Sequence, residues 1–178
     1  MRLFVALDLP QEIKDKLFLL KDVNLNGAHW TSSEQWHLTL HFIGETEDDT
    51  AIQAALSTTS ARSFSLKLEG IGTFPPKGQP RVLWVGINSP ESLKKLYQQV
   101  GEALKLTGFQ AESRPYHPHI TLARFKQNVP SSAAMDGYQD KHNKFITNSF
   151  IVDHFSLYES KLERTGAIYR VRAQYDFR

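Results

Sequence analysis

The tetrapeptide His37-Leu38-Thr39-Leu40 returns as His119-Ile120-Thr121-Leu122, 82 residues further on. A shuffled chain of this composition would spell His-x-Thr-Leu about 0.05 times, and twice on the order of once in a thousand, so the repeat asks for a reason. Each copy sits in an alternating stretch, Trp36 to Gly44 and His117 to Arg124, that reads as a strand. In a strand, residues i and i+2 share a face. Each copy therefore presents an imidazole beside a hydroxyl and sends its Leu or Ile into the core. Two such faces across a groove supply an acid, a base and two hydroxyl donors. That set suits in-line displacement at phosphorus. One imidazole takes a proton from the nucleophile and the other gives one to the leaving oxygen. The hydroxyls of Thr39 and Thr121 hold the charge on the non-bridging oxygens. Such chemistry needs neither metal nor cofactor.

Other residues compete for a place in that groove. Strict alternation puts His41 on the face of His37 and His117 on the face of His119. His117-x-His119 is also half of a metal site, but no nearby carboxylate or cysteine completes it. Arg124 has the fork that matches phosphate oxygens, yet it lies five residues past His119, and parity places it on the opposite face unless a bulge turns it. Tyr116, Phe74 and Trp30 are the aromatics that could stack on a base, although such residues are more often core. Lys77 and Arg81 read as solvated surface. His29, His142 and His154 have no evident chemical neighbours in the sequence.

The elements that must position these residues are short. Leu3 to Leu9 reads as a buried strand, followed by a helix with Pro10 in its first turn and Ile13, Leu17 and Leu20 at helical spacing. Glu47 to Leu56 reads as a second helix, and Ser63 to Gly70 and Arg81 to Ile87 as strands around a Pro-rich loop. Ser89 and Pro90 open the best helix, with Leu93, Leu96, Tyr97, Val100 and Leu104 as its stripe and Gly108 as its stop. Phe109 to Glu112 reads as a short strand and Lys126 to Asn143 as a polar loop. Phe150 to Tyr158 and Ile168 to Phe177 read as a closing hairpin around Gly166. Strands and helices mix without strict alternation, which favours α+β with antiparallel sheets over a doubly wound fold. No Gly-rich loop follows a strand, so dinucleotide and P-loop binding are unsupported.

Composition bounds the rest. The chain has 178 residues, 40% apolar and 22% charged, and this excludes disorder and coiled coil. With 21 Lys+Arg against 19 Asp+Glu, its net charge of +2 is too small to grip long nucleic acid by charge alone. It has no cysteine, hence no thiolate nucleophile and no disulfide framework. The first apolar run ends at Asp8, too soon for a signal segment, and no run approaches a membrane span. The expectation is a cytoplasmic enzyme or binding protein.

With both motifs in view, the chain resembles the 2H phosphoesterases, and within them the bacterial and archaeal RNA 2′,3′-cyclic phosphodiesterases, also called 2′-5′ RNA ligases. The likeness runs through Arg2-Leu3-Phe4-Val5-Ala6-Leu7-Asp8-Leu9-Pro10 and His37 to Glu45. It continues in Arg81 to Gly86, Arg114-Pro115-Tyr116-His117-Pro118-His119-Ile120-Thr121-Leu122-Ala123-Arg124, and Phe155 to Ser160. It implies one bilobal domain over residues 1–178. The two α+β lobes would be pseudo-symmetric, each a mostly antiparallel sheet with helices outside, and the groove would lie between them. It also implies metal-independent hydrolysis of an RNA or nucleotide 2′,3′-cyclic phosphate to a 2′-phosphomonoester. His37 would be the proton donor and His119 the proton acceptor, with Thr39, Thr121 and Arg124 on the phosphate. A 5′-hydroxyl in place of water would give 2′-5′ ligation as a side reaction. The implied partners are RNA 3′ ends or nucleotides, with no membrane and no metal, for a monomer. Three rivals stand beside this reading: a module that binds nucleotides without turnover, a 2H phosphodiesterase acting on 2′-5′ linkages, and a metallohydrolase using the histidine cluster.

Overall fold

The computed structural model describes residues 1–88, 90–164 and 166–178. In chain order the elements are β1 (Arg2–Asp8), α1 (Gln11–Phe18), β2 (His29–Trp30), a 3₁₀ turn (Ser33–Gln35), β3 (His37–Glu45), α2 (Thr50–Leu56), β4 (Phe64–Phe74) and β5 (Val82–Asn88). They continue with α3 (Glu91–Lys105), β6 (His119–Arg124), α4 (Ser132–His142), β7 (Phe150–Val152), β8 (His154–Glu163) and β9 (Gly166–Asp176). Two antiparallel sheets result. One has the order β3-β1-β8-β9 and the other β2-β6-β5-β4-β7. The expected α+β class is therefore the observed one. The first motif belongs to one sheet and the second to the other, and the two motif strands, β3 and β6, pack against each other where the sheets meet.

Alternation decides which face of each sheet becomes core. On β1, Leu3, Val5 and Leu7 are buried among Leu38 and Leu40 of β3 and the α3 stripe of Leu93, Leu96, Val100 and Leu104. Each such side chain contributes roughly 1.5–3 kcal/mol by leaving water. The alternate residues of β1 face the other way. Phe4 and Ala6 form a small second cluster with Tyr158, against which Tyr169 packs. That cluster is the bed of the first motif.

Several expectations about elements change. Pro10 sits at the N-cap of α1 rather than inside it, and α1 ends at Phe18, so Leu20 is buried from the turn beyond. Pro90 takes the N-cap position of α3, and the proposed cap, Ser89, lies outside the described residues. Phe109 to Glu112 forms no strand. Within the presumed loop, residues 132–142 form α4. The Ser131 hydroxyl accepts the Ala134 N–H at 3.1 Å, and two buried residues at i and i+3, Met135 and Tyr138, hold the helix down. The Tyr138 hydroxyl donates to the Leu20 carbonyl at 2.7 Å. The chain also changes sheets at Asp153. β7 pairs with β4, while β8 pairs with β1 and forms the closing hairpin with β9.

Candidate active site

Each motif strand carries a bulge at the same place in its tetrapeptide. Against β1, Leu7 pairs with Leu38, Ala6 with Thr39 and Val5 with His41, which leaves Leu40 as an extra residue. Against β5, Val85 pairs with Ile120, Trp84 with Thr121 and Leu83 with Ala123, which leaves Leu122 extra. A bulge inverts the parity of everything after it. His37 and Thr39 thus share the face of Asp8 and Ala6, whereas His41 turns into the core, 5% exposed. His119 and Thr121 share the face of Gly86 and Trp84, and Arg124 joins them opposite Val82. The parity expected for both His41 and Arg124 is reversed, and the bulge is the reason in each case.

The two imidazoles lie in matched surroundings. The His37 ring is 4.8 Å from Phe4 and meets Tyr169 edge-on at 5.1 Å, with Tyr158 at 6.3 Å. The His119 ring meets Phe74 edge-on at 4.9 Å, with Trp84 at 6.4 Å. Each ring also answers to the carbonyl two residues upstream. His119 Nδ1 donates to His117 O at 2.7 Å, and the Gln35 carbonyl favours the protonated ring of His37. For His119 this hydrogen bond fixes the tautomer and leaves Nε2 as the free nitrogen.

Burial governs the proton affinity of both rings. It pulls His37 down from 6.5 to about 4, against the opposing pull of the Gln35 carbonyl and the Asp8 carboxylate; the charges of Lys14 and His119 lower it further. His119 is lowered as well, chiefly by burial, with the charges of His117 and Arg124 adding to it and the His117 carbonyl opposing. The charge of His119 is therefore felt at His37. Arg124 acts on His119 and also on Tyr169, which touches His37. Among the described residues, the hydroxyls of Thr39 and Thr121 make no hydrogen bond to the protein, so both are free to donate to a ligand.

Two struts hold the motifs in register. The Thr31 hydroxyl lies 2.9 Å from the carbonyls of Thr121 and of the bulged Leu122, and accepts from Trp36 Nε1 at 2.8 Å, one residue before His37. On the other side, the Tyr116 hydroxyl donates to Thr39 O at 3.0 Å. The Tyr116 ring stacks on Tyr97 at 4.0 Å, Tyr97 stacks on His41 at 4.2 Å, and His41 Nε2 donates to Tyr97 O at 2.8 Å. His41 is a packing residue of this stack, and Tyr116 is committed to it rather than to a base.

The remaining aromatics and histidines separate clearly. Phe74 touches both His117 and His119, whereas Trp30 packs on Tyr138. His154, unpartnered in the sequence reading, lies 2.7 Å from Asp153 and 3.3 Å from Asp8. Burial lowers its proton affinity, but the hydrogen bonds to these carboxylates outweigh that and raise it. Asp8 also accepts the Tyr158 hydroxyl and faces His37 across the β1–β3 pair. His142 packs on Tyr138, and Lys77 and Arg81 are exposed. Among the described residues no three metal-ligating side chains converge.

These surroundings describe two recessed imidazoles and two free hydroxyls on facing strands, with the Arg124 guanidinium beside His119. Such a set can move two protons at once and hold an anion between them.

A family profile described as the 2′-5′ RNA ligase superfamily matches residues 11–164. The RNA 2′,3′-cyclic phosphodiesterase of Thermotoga maritima is 33% identical, over 99% of this chain and 96% of its own. Among solved structures, TT0787 of Thermus thermophilus superposes with a TM-score of 0.82 at 26% identity, over 99% of this chain and 98% of that one. E. coli LigT complexed with 3′-AMP superposes with a TM-score of 0.77 at 26% identity, over 99% and 97% of the two chains.

Proposed function

We infer from one premise, that the chain belongs to the 2′-5′ RNA ligase superfamily, that it is an RNA 2′,3′-cyclic phosphodiesterase working through its two motif histidines as a single bilobal unit of residues 1–178. The observation that carries the reading is the pairing of the two motif strands, where alternation sets His37 beside Thr39 and His119 beside Thr121 and the bulge at Leu122 brings Arg124 onto the face of the second pair. The cyclic phosphate sits between the motifs. Thr39 and Thr121 donate to its non-bridging oxygens and Arg124 offsets its charge. His119, neutral with Nε2 free, takes a proton from water as the oxygen attacks phosphorus. His37 gives a proton to the departing 3′-oxygen, so the phosphate remains on the 2′-oxygen.

In the free protein, burial keeps both rings neutral near pH 7. The substrate's own negative charge restores proton affinity to the ring beside it, so the donor is charged as the anion binds. The recharged ring then stands ready to hand that proton to the departing 3′-oxygen. A 5′-hydroxyl of another RNA end in the place of water is deprotonated by the same base, and the product is then a 2′-5′ linkage. None of these steps passes through a metal.

The test is turnover of a 2′,3′-cyclic mononucleotide in excess chelator, with the product isomer identified. A 2′-phosphate formed at an undiminished rate supports the reading. Loss of turnover restored by zinc or manganese, or a 3′-phosphate product, sinks it.

A further inference from the structure

We propose that the cleft beside the C-terminal end of β6 is a subsite for the RNA backbone upstream of the cyclic end, so that an oligonucleotide terminus is preferred to a mononucleotide. This rests on the phosphodiesterase reading above. The register of β2 points there. His29 pairs with Arg124, and directly opposed residues of an antiparallel pair project from one face. Arg124 shares that face with Thr121 and His119. His29 therefore extends the reactive face by one strand, on the side of β6 away from β5.

A cleft of about 600 Å³ opens at this point, lined by Gly27, Ala28, His29, Lys126, Gln127 and Asn128. Its lining holds an ammonium, an imidazole and two amides, and no carboxylate. Among the described residues, none of Arg124, Lys126 and His29 has an acidic partner at ion-pair distance. The walls are drawn together at Gly27, whose φ is +78° and where a Cβ would lie 1.5 Å from the Asn128 carbonyl oxygen. No side chain fits there, so the close approach of the two loops depends on glycine.

A row of donors thus leads from the reacting phosphate, through Arg124, to Lys126 and the amides. Such groups suit phosphodiester oxygens, which fix register without reading sequence. A net charge of +2 is too small for a long strand but not for a local row that meets one or two phosphates.

The test measures kcat/KM over a series of KCl concentrations for a 2′,3′-cyclic mononucleotide and for a trinucleotide with the same cyclic end. Wild type is compared with Lys126→Ala and with Lys126→Ala combined with His29→Ala. The wild type should favour the trinucleotide, with log kcat/KM falling against log salt. Lys126→Ala should flatten that slope by about 0.7, the value for one single-strand phosphate contact, and leave the mononucleotide within about twofold. Absence of a wild-type preference, equal losses on both substrates, or an unchanged trinucleotide slope in the double variant overturns the subsite. Wild type inactive on both substrates overturns the phosphodiesterase reading itself, and the subsite with it.

Discussion

Replacing His37 by Phe should make the protein less sensitive to acid. The His37 ring is bedded on Phe4, Tyr158 and Tyr169, so a phenyl ring keeps the packing and removes the titration. In the folded chain burial holds this imidazole at about 4, while in the unfolded chain it returns to 6.5. Between those values the unfolded state binds the proton and the folded state does not, so acid favours unfolding. The contribution is complete above pH 6.5 and is lost as the pH falls toward 4. One pKa unit corresponds to about 1.4 kcal/mol, so the loss should reach roughly 2 kcal/mol near pH 5 and roughly 3 near pH 4. His154 works in the opposite sense, because its affinity is raised and its contribution is lost as pH rises. Comparison of wild type with His37→Phe cancels it. Urea unfolding near pH 7 and near pH 5 measures the difference, and the wild type should lose roughly 2 kcal/mol more than the variant across that interval. Parallel losses in the two proteins would show that His37 is not held neutral, and the charging of the donor by substrate would fall.

Three further outcomes follow from the same site. Since both motif imidazoles are lowered, the kcat/KM bell, which reports the free enzyme, should peak below pH 6.5, and an optimum above pH 7 would contradict this. Thr39→Ala and Thr121→Ala should each lower kcat by roughly 10²–10³ in steady-state assays, the range for one lost oxyanion donor, while Thr→Ser keeps most of the rate; equal rates for Ala and wild type would remove the hydroxyls from the mechanism. Tyr116→Phe deletes only the hydrogen bond to Thr39 O and should cost about 1 kcal/mol of stability. As a strut between motifs it should also lower kcat at constant KM, and a rise in KM alone would point to substrate contact instead.

The paired motif was legible because its two copies share spacing and alternation, and because a strand's period of two ties His to Thr without further knowledge. What parity could not give was the residue after the bulge. Leu40 and Leu122 look like ordinary core positions, yet each absorbs one step of register, and that step moved His41 inward and Arg124 onto the groove face. The role of β1 was half visible. The apolar run from Leu3 to Leu9 marked a buried strand, but its division into a core face of Leu3, Val5 and Leu7 and a site face of Phe4 and Asp8 comes only from β3 and β8, which pair with β1 from distant parts of the chain. The same distance hid the partners of His154 and the strut from Thr31 to Leu122. α4 escaped because its buried stripe is only Met135 and Tyr138, too sparse for periodicity to stand out from a polar segment.

The central claim is that His37 and His119 divide proton transfer between them. It is tested most directly by the pH dependence of turnover of a 2′,3′-cyclic nucleotide by His37→Ala and His119→Ala, each first shown to be folded. Each variant should lose roughly 10²–10⁴ in kcat, the range for a missing general acid or base. The residual activity of His37→Ala should lack the alkaline limb of the wild-type bell, and that of His119→Ala the acid limb. Folded variants that turn over at the wild-type rate, or that keep both limbs, would contradict it.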